Sequence, residues 1–113
     1  MHVWLDDERK MPEGFDVHVK TASQAIKLLE TNQVKFMSLD HDLGLPESEN
    51  GTGNKVARWI EKMAFHGTLK RIGWAVHSQN PVGRQAMTST LQNADRFWSR
   101  AEKLNTQGDM LEA

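Results

Sequence analysis

Three short apolar runs, each breaking abruptly into polar or charged residues, constrain this chain more than any other feature. Val3-Trp4-Leu5 gives way to Asp6-Asp7-Glu8-Arg9, and Ser38-Leu39 to Asp40-His41-Asp42-Leu43-Gly44. Ile72-Gly73-Trp74-Ala75-Val76 gives way to His77-Ser78-Gln79-Asn80-Pro81. Such runs read as buried strands whose C-terminal ends deliver side chains to an exposed edge. An open α/β sheet places its ligand in the crevice outside those ends, so one shared polar crevice is expected here.

The elements between the runs fit that sheet. Strand one is 2–5, and Glu8 to Gly14, with Met11-Pro12-Glu13-Gly14, reads as a loop. Phe15 to Val19 makes a second strand. Thr21 and Gln24 form a capping box for a helix that runs to about Asn32, with Ala22, Ala25, Ile26 and Leu29 on one stripe. Strand three is 35–39. Leu43 to Gly53 is a long connection of the kind that carries function or mobility.

A second helix carries Val56, Ile60 and Met63 beside Trp59 and ends near Gly67, and strand four is 71–77. Asn80 caps a third helix with Pro81 at its first position and Ala86, Met87, Leu91, Ala94, Phe97 and Trp98 at helical spacing. After Asn105 the chain is polar and expected to fray.

The order β-β-α-β-α-β-α predicts an α/β fold: a mainly parallel four-stranded sheet with three helices. Residues 1–104 form the domain and 105–113 a tail. Asp6 to Gly14 is short for a parallel crossover, so strand two is either a short edge strand reached by a tight loop or not paired in parallel.

Composition narrows the function classes. A chain of 113 residues holds one modest core. A formal net charge of -1 gives no field for bulk DNA or membrane attraction. Without cysteine there is no thiol catalysis and no thiolate metal site. The N-terminus reads as a strand rather than a leader, and no apolar run approaches the roughly 20 residues needed to span a bilayer. The expectation is a soluble, cytoplasmic protein.

The acidic strand ends carry the chemistry. Neighbouring side chains alternate along a strand, so Asp6 and Asp7 share a crevice only if the chain turns there. Converging carboxylates repel unless a cation neutralises them, and hard oxygen ligands suit Mg²⁺ or Mn²⁺. Asp6, Asp7, Asp40 and Asp42 are the candidate metal ligands, and an added His41 or His77 shifts preference toward Mn²⁺. Any one Asp alone is better read as a cap or a solubilising residue.

The segment His77 to Arg84 is the second signal. A helix N-terminus binds phosphate through free amides and a partial positive charge. Ser78, Asn80, Gly83 and Arg84 are the candidate phosphate ligands there, with Gly83 permitting close approach and Arg84 a bidentate contact. His77 can give or take a proton near neutral pH. The plainer readings are a helix cap for Asn80 and Pro81, a surface residue for Arg84 and a structural histidine at 77. Arg9 either clamps an anion over the crevice or pairs with Glu8 or Glu13. His2, His18 and His66 fall away from the edge, and the four tryptophans read as packing.

Together, Leu5-Asp6-Asp7-Glu8-Arg9, Ser38 to Gly44 and His77 to Arg84 resemble the cyclic-phosphate processing receiver-like domain family. Its members are small bacterial and phage relatives of the response-regulator receiver. The resemblance implies a flavodoxin-like sheet and a divalent-metal phosphate site. Asp6 with Asp7, Asp40 and Ser78 match the receiver positions that hold Mg²⁺, accept a phosphoryl group and follow strand four. The chain departs from ordinary receivers in having no helix between strands one and two and no fifth strand with its lysine. His41, Asp42 and His77 are additions, so a phosphorelay switch is not expected.

The function expected from these residues is a metal-dependent phosphoesterase acting on a cyclic phosphodiester, such as a 2′,3′-cyclic phosphate RNA end or a cyclic nucleotide. His77, His41 and Asp40 would be its catalytic residues. One alternative is a sponge or sensor that binds such a nucleotide without cleaving it, as small phage-encoded anti-defence proteins can. Another is a degenerate receiver that binds a partner protein. Phe97, Trp98 and Leu104 either cover the sheet edge or pair two protomers into a homodimer.

Overall fold

The computed structural model describes residues 1–44 and 52–112, with side chains described as far as residue 105. The elements are β1 (His2–Leu5), β2 (Val17–Val19), α1 (Ala22–Glu30), β3 (Phe36–Leu39), α2 (Gly53–His66), β4 (Gly73–Val76) and α3 (Pro81–Glu112). The strands form one sheet in the order β2-β1-β3-β4. Every pairing is parallel, including β1 with β2, where Val3 lies opposite Val17. The second strand is therefore a parallel edge strand, reached through residues 6–16 without a helix.

This strand order decides where the helices lie. The chain crosses from β2 over β1 to β3, then from β3 to β4, moving in one direction across the sheet. Right-handed crossovers then put α1 and α2 on the same face, and α3 packs beside α2. The core fills the space beneath: Val3 and Leu5 of β1 and Met37 and Leu39 of β3 meet Ala25, Leu29, Val56, Ile60, Met87 and Leu91.

Alternation sends Trp4, His18 and Ser38 to the opposite face. Trp4 is buried but lies outside the core cluster. The 6–16 segment covers it instead: Trp4 Nε1 donates to the Arg9 carbonyl at 3.3 Å, and Phe15 stands edge-on to the indole at 5.2 Å.

The caps follow the sequence. Thr21 Oγ1 accepts from the Gln24 amide at 3.1 Å, and Gln24 Oε1 accepts from the Lys20 amide at 3.0 Å. The first helix ends at Glu30, just short of the expected Asn32, which takes φ 57. Gly67 closes α2 in the left-handed region at φ 74, where glycine has no Cβ penalty.

Two expectations change at α3. Ala86 is exposed, so the buried stripe is Met87, Leu91, Ala94 and Trp98. The backbone after Asn105 continues as helix to Glu112 instead of fraying. The long connection expected at 43–53 falls mostly on 45–51, outside the described residues. Among the described residues, no helix is long and apolar enough to cross a membrane.

Candidate functional site

The ladder continues one residue past each strand. Asp6 N donates to the Val19 carbonyl, Asp40 N to Leu5 and His77 N to Leu39, at 3.1, 3.0 and 3.0 Å. Leu5, Leu39 and Val76 are aligned in register, so Asp6, Asp40 and His77 form the next row, and alternation turns it away from the core. One ligand atom from each of these three residues lies within 4.8 Å of the others.

Asp6 is fully buried. Its Oδ1 accepts the amides of Glu8 and Arg9, both at 2.8 Å, and Oδ2 faces His77 Nε2 at 3.0 Å. Burial pushes the carboxyl pKa up, but the Arg9 and Glu8 amides and His77 outweigh it and leave it below the ordinary value. The His77 ring stacks flat on Trp4, with centroids 3.8 Å apart and planes 6° from parallel. Its Nδ1 meets Ser38 Oγ at 2.8 Å, and its carbonyl accepts Arg9 Nη1 at 2.8 Å. Burial lowers the His77 pKa more than the nearby Asp6 and Asp40 carboxylates raise it. Both shifts describe one state, an ionised Asp6 accepting from a neutral imidazole.

The other candidates stand around this row. Asp40 Oδ1 accepts the His41 amide at 2.8 Å. Asp7 sits over Gly44, which has φ +78, and a Cβ there would come within 2.6 Å of Asp7 Oδ2. Asp42 is exposed and pairs with His41 Nδ1 at 2.8 Å. The His41 ring lies against Gly83. Asp6, Asp7, Glu8, Arg9, Asp40, Asp42, Gly44 and Gln79 line a cleft of about 240 Å³. Arg9 thus folds over the crevice rather than pairing with Glu8 or Glu13, its guanidinium held by the His77 carbonyl.

Two amides at the start of α3 are taken by Asn80. Asn80 Oδ1 accepts the Gly83 amide at 3.1 Å, and the buried Ser78 Oγ accepts the Asn80 amide at 3.1 Å. The Arg84 amide bonds the Asn80 carbonyl, and its guanidinium reaches the Ser78 carbonyl at 3.5 Å. The bare side of Gly83 holds the His41 ring. Ser78, Asn80, Gly83 and Arg84 are therefore gathered beside the cleft, while Gln79 lines it.

Four residues gain a place that the sequence reading did not give them. Ser38 and Trp4 hold His77, Gln79 lines the cleft, and His18 Nε2 bonds the Asp6 carbonyl at 2.7 Å. His18 is thus close to the edge, contrary to expectation. The signal for Ser38, Trp4 and His18 is register, since they lie one same-face step below the acidic row.

A parallel sheet ending in a buried Asp6 and half-buried Asp40 and His77 beside an acidic cleft defines a receiver-like α/β domain. Residues 1–93 match the cyclic-phosphate processing receiver domain, and the chain belongs to that family. No curated protein and no solved structure matches it significantly.

Proposed function

We propose that this protein is a metal-dependent phosphoesterase that opens a cyclic phosphodiester, either a 2′,3′-cyclic phosphate RNA end or a cyclic nucleotide. The observation that carries the reading is the convergence of Asp6, Asp40 and His77 within 4.8 Å at one end of the sheet. Two carboxylate oxygens and an imidazole nitrogen fit Mn²⁺ and, with more water retained, Mg²⁺. Asp6, Asp40 and His77 would hold the ion, with Asp7 and Asp42 lining the same cleft. A bound divalent cation polarises a phosphoryl oxygen and lowers the pKa of water.

The chain supplies the rest. Arg9 has N–H groups beyond the one given to His77 and lines the same cleft, so it can bind the phosphoryl oxygens. Gln79 in the cleft lining offers a second donor. His41, whose Nδ1 pairs with the cleft residue Asp42, would be the group that passes a proton to the departing oxygen, from a ring protonated at both nitrogens. The test is incubation with 2′,3′-cyclic nucleotides and Mn²⁺, following ring opening by chromatography. Turnover lost in both Asp40→Asn and His77→Ala supports the reading. Turnover unaffected by either change overturns the site, and tight binding with intact ligand recovered identifies a sponge or sensor instead.

A further inference from the structure

We propose that Ser38 is a positioning residue that fixes which edge of the His77 ring faces Asp6 and Asp40. The part of this inference that concerns a cation rests on the function proposed above. The part that concerns the ring rests on geometry alone.

An imidazole stacked on an indole can still flip by about 180° about its Cβ–Cγ bond and return to the same plane. The flat contact with Trp4, 3.8 Å between centroids and 6° between planes, fixes the plane of the His77 ring but not its direction. Two in-plane contacts fix the direction: Ser38 Oγ at Nδ1, 2.8 Å, and Asp6 Oδ2 at Nε2, 3.0 Å. Asp6 Oδ1 already accepts two backbone amides, and Oδ2 of the same carboxylate stands as the acceptor for a proton on Nε2. The Ser38 hydroxyl then donates to the bare Nδ1.

Ser38 is also suited to the alternative. A hydroxyl both donates and accepts. It can therefore stay on Nδ1 when that nitrogen carries the proton and Nε2 offers its lone pair to a cation. The ring direction is thus the same with and without a ligand at Nε2. Ser38 is 4 % exposed, so no bulk water takes its place. Removing the hydroxyl leaves Nδ1 unpartnered in a dry setting, and the ring loses the contact that distinguishes its two edges. Partners of metal-binding histidines commonly change metal affinity about 10–100-fold when removed.

The experiment reads the ring directly. In ¹⁵N-labelled, metal-free protein at pH 7.5, long-range ¹H–¹⁵N spectra should show His77 protonated at Nε2 and unprotonated at Nδ1. Ser38→Ala should replace that pattern with averaged shifts from both tautomers and weaken Mn²⁺ binding by calorimetry about 10–100-fold. Ser38→Thr, which keeps the hydroxyl, should restore the wild-type pattern. An averaged ring in the wild-type protein overturns the proposal without any variant, and so does a wild-type ring pattern in Ser38→Ala. If the ring responds as expected but the wild-type protein neither binds Mn²⁺ nor opens cyclic phosphates, the role of Ser38 stands and the proposed function falls. If the protein is active and the Ser38→Ala ring is unchanged, only the role of Ser38 falls.

Discussion

The ring of His41 occupies the space where Gly83 has no side chain: a Cβ on Gly83 would come within 2.5 Å of its Cγ and 2.8 Å of its Nδ1. Helix propensity alone favours alanine over glycine in a helix by up to about 1 kcal/mol. The contact is with the root of the imidazole, which cannot swing clear without leaving Asp42. Gly83→Ala is therefore expected to fold, to break the His41–Asp42 pair and to cut turnover on a cyclic phosphate. A double-mutant cycle with His41→Ala checks this, because the cost of Gly83→Ala should vanish once the ring is gone.

Gly53 has a harder constraint. A Cβ there would collide with the backbone carbonyl of Asp40, and its amide already bonds the His41 carbonyl at 2.8 Å. No side-chain rotation relieves a clash with backbone. Gly53→Ala should cost on the order of 1–3 kcal/mol, the range for overpacking. Urea denaturation would show it as a lower midpoint at unchanged m-value.

Acid should weaken the fold through the site itself. The folded-state pKa values of both His77 and Asp6 lie below their ordinary values. As pH falls below about 6.5, the unfolded chain protonates a histidine that the folded ring resists, so stability drops toward the folded-state pKa. Below about 4, Asp6 adds a loss of the same sign. Denaturation midpoints between pH 7.5 and pH 5 should fall less steeply in His77→Gln than in the wild-type protein. Parallel curves would remove His77 from the linkage.

A cation held by the row should raise the melting temperature. A ligand at 100 times its Kd adds about 2.7 kcal/mol. Mn²⁺ should shift the wild-type melting curve upward, and Asp40→Asn should abolish the shift while leaving the ion-free melt near its wild-type position. Equal shifts in both proteins would place the ion elsewhere.

Much of this architecture is legible from local pattern. The apolar runs mark all three strands that end at the cleft, and Thr21 with Gln24 marks the start of α1. Local pattern does not show which of several neighbouring acids converge. Asp6 and Asp40 meet His77 because the parallel register aligns Leu5, Leu39 and Val76, a tertiary fact. Asp7 and Asp42 are one and two residues further along and leave that row. The free amides expected at the start of α3 were legible as a helix terminus. That Asn80 Oδ1 takes the Gly83 amide depends on side-chain geometry. His18 lies far from the acidic runs in sequence, and only the β1–β2 pairing brings it to Asp6.

The one-sided placement of the helices has a mechanical result. On the face that carries the Asp6-Asp40-His77 row, the 6–16 segment does the covering, and Arg9 ties it down. Through its amide Arg9 holds Asp6, through its carbonyl Trp4 and through its guanidinium the backbone of His77. Substituting Arg9 by glycine would remove only the guanidinium hold, because the other two contacts come from its backbone. The strap's fastening to the row is thus written mostly in main chain, where side-chain replacement cannot reach it.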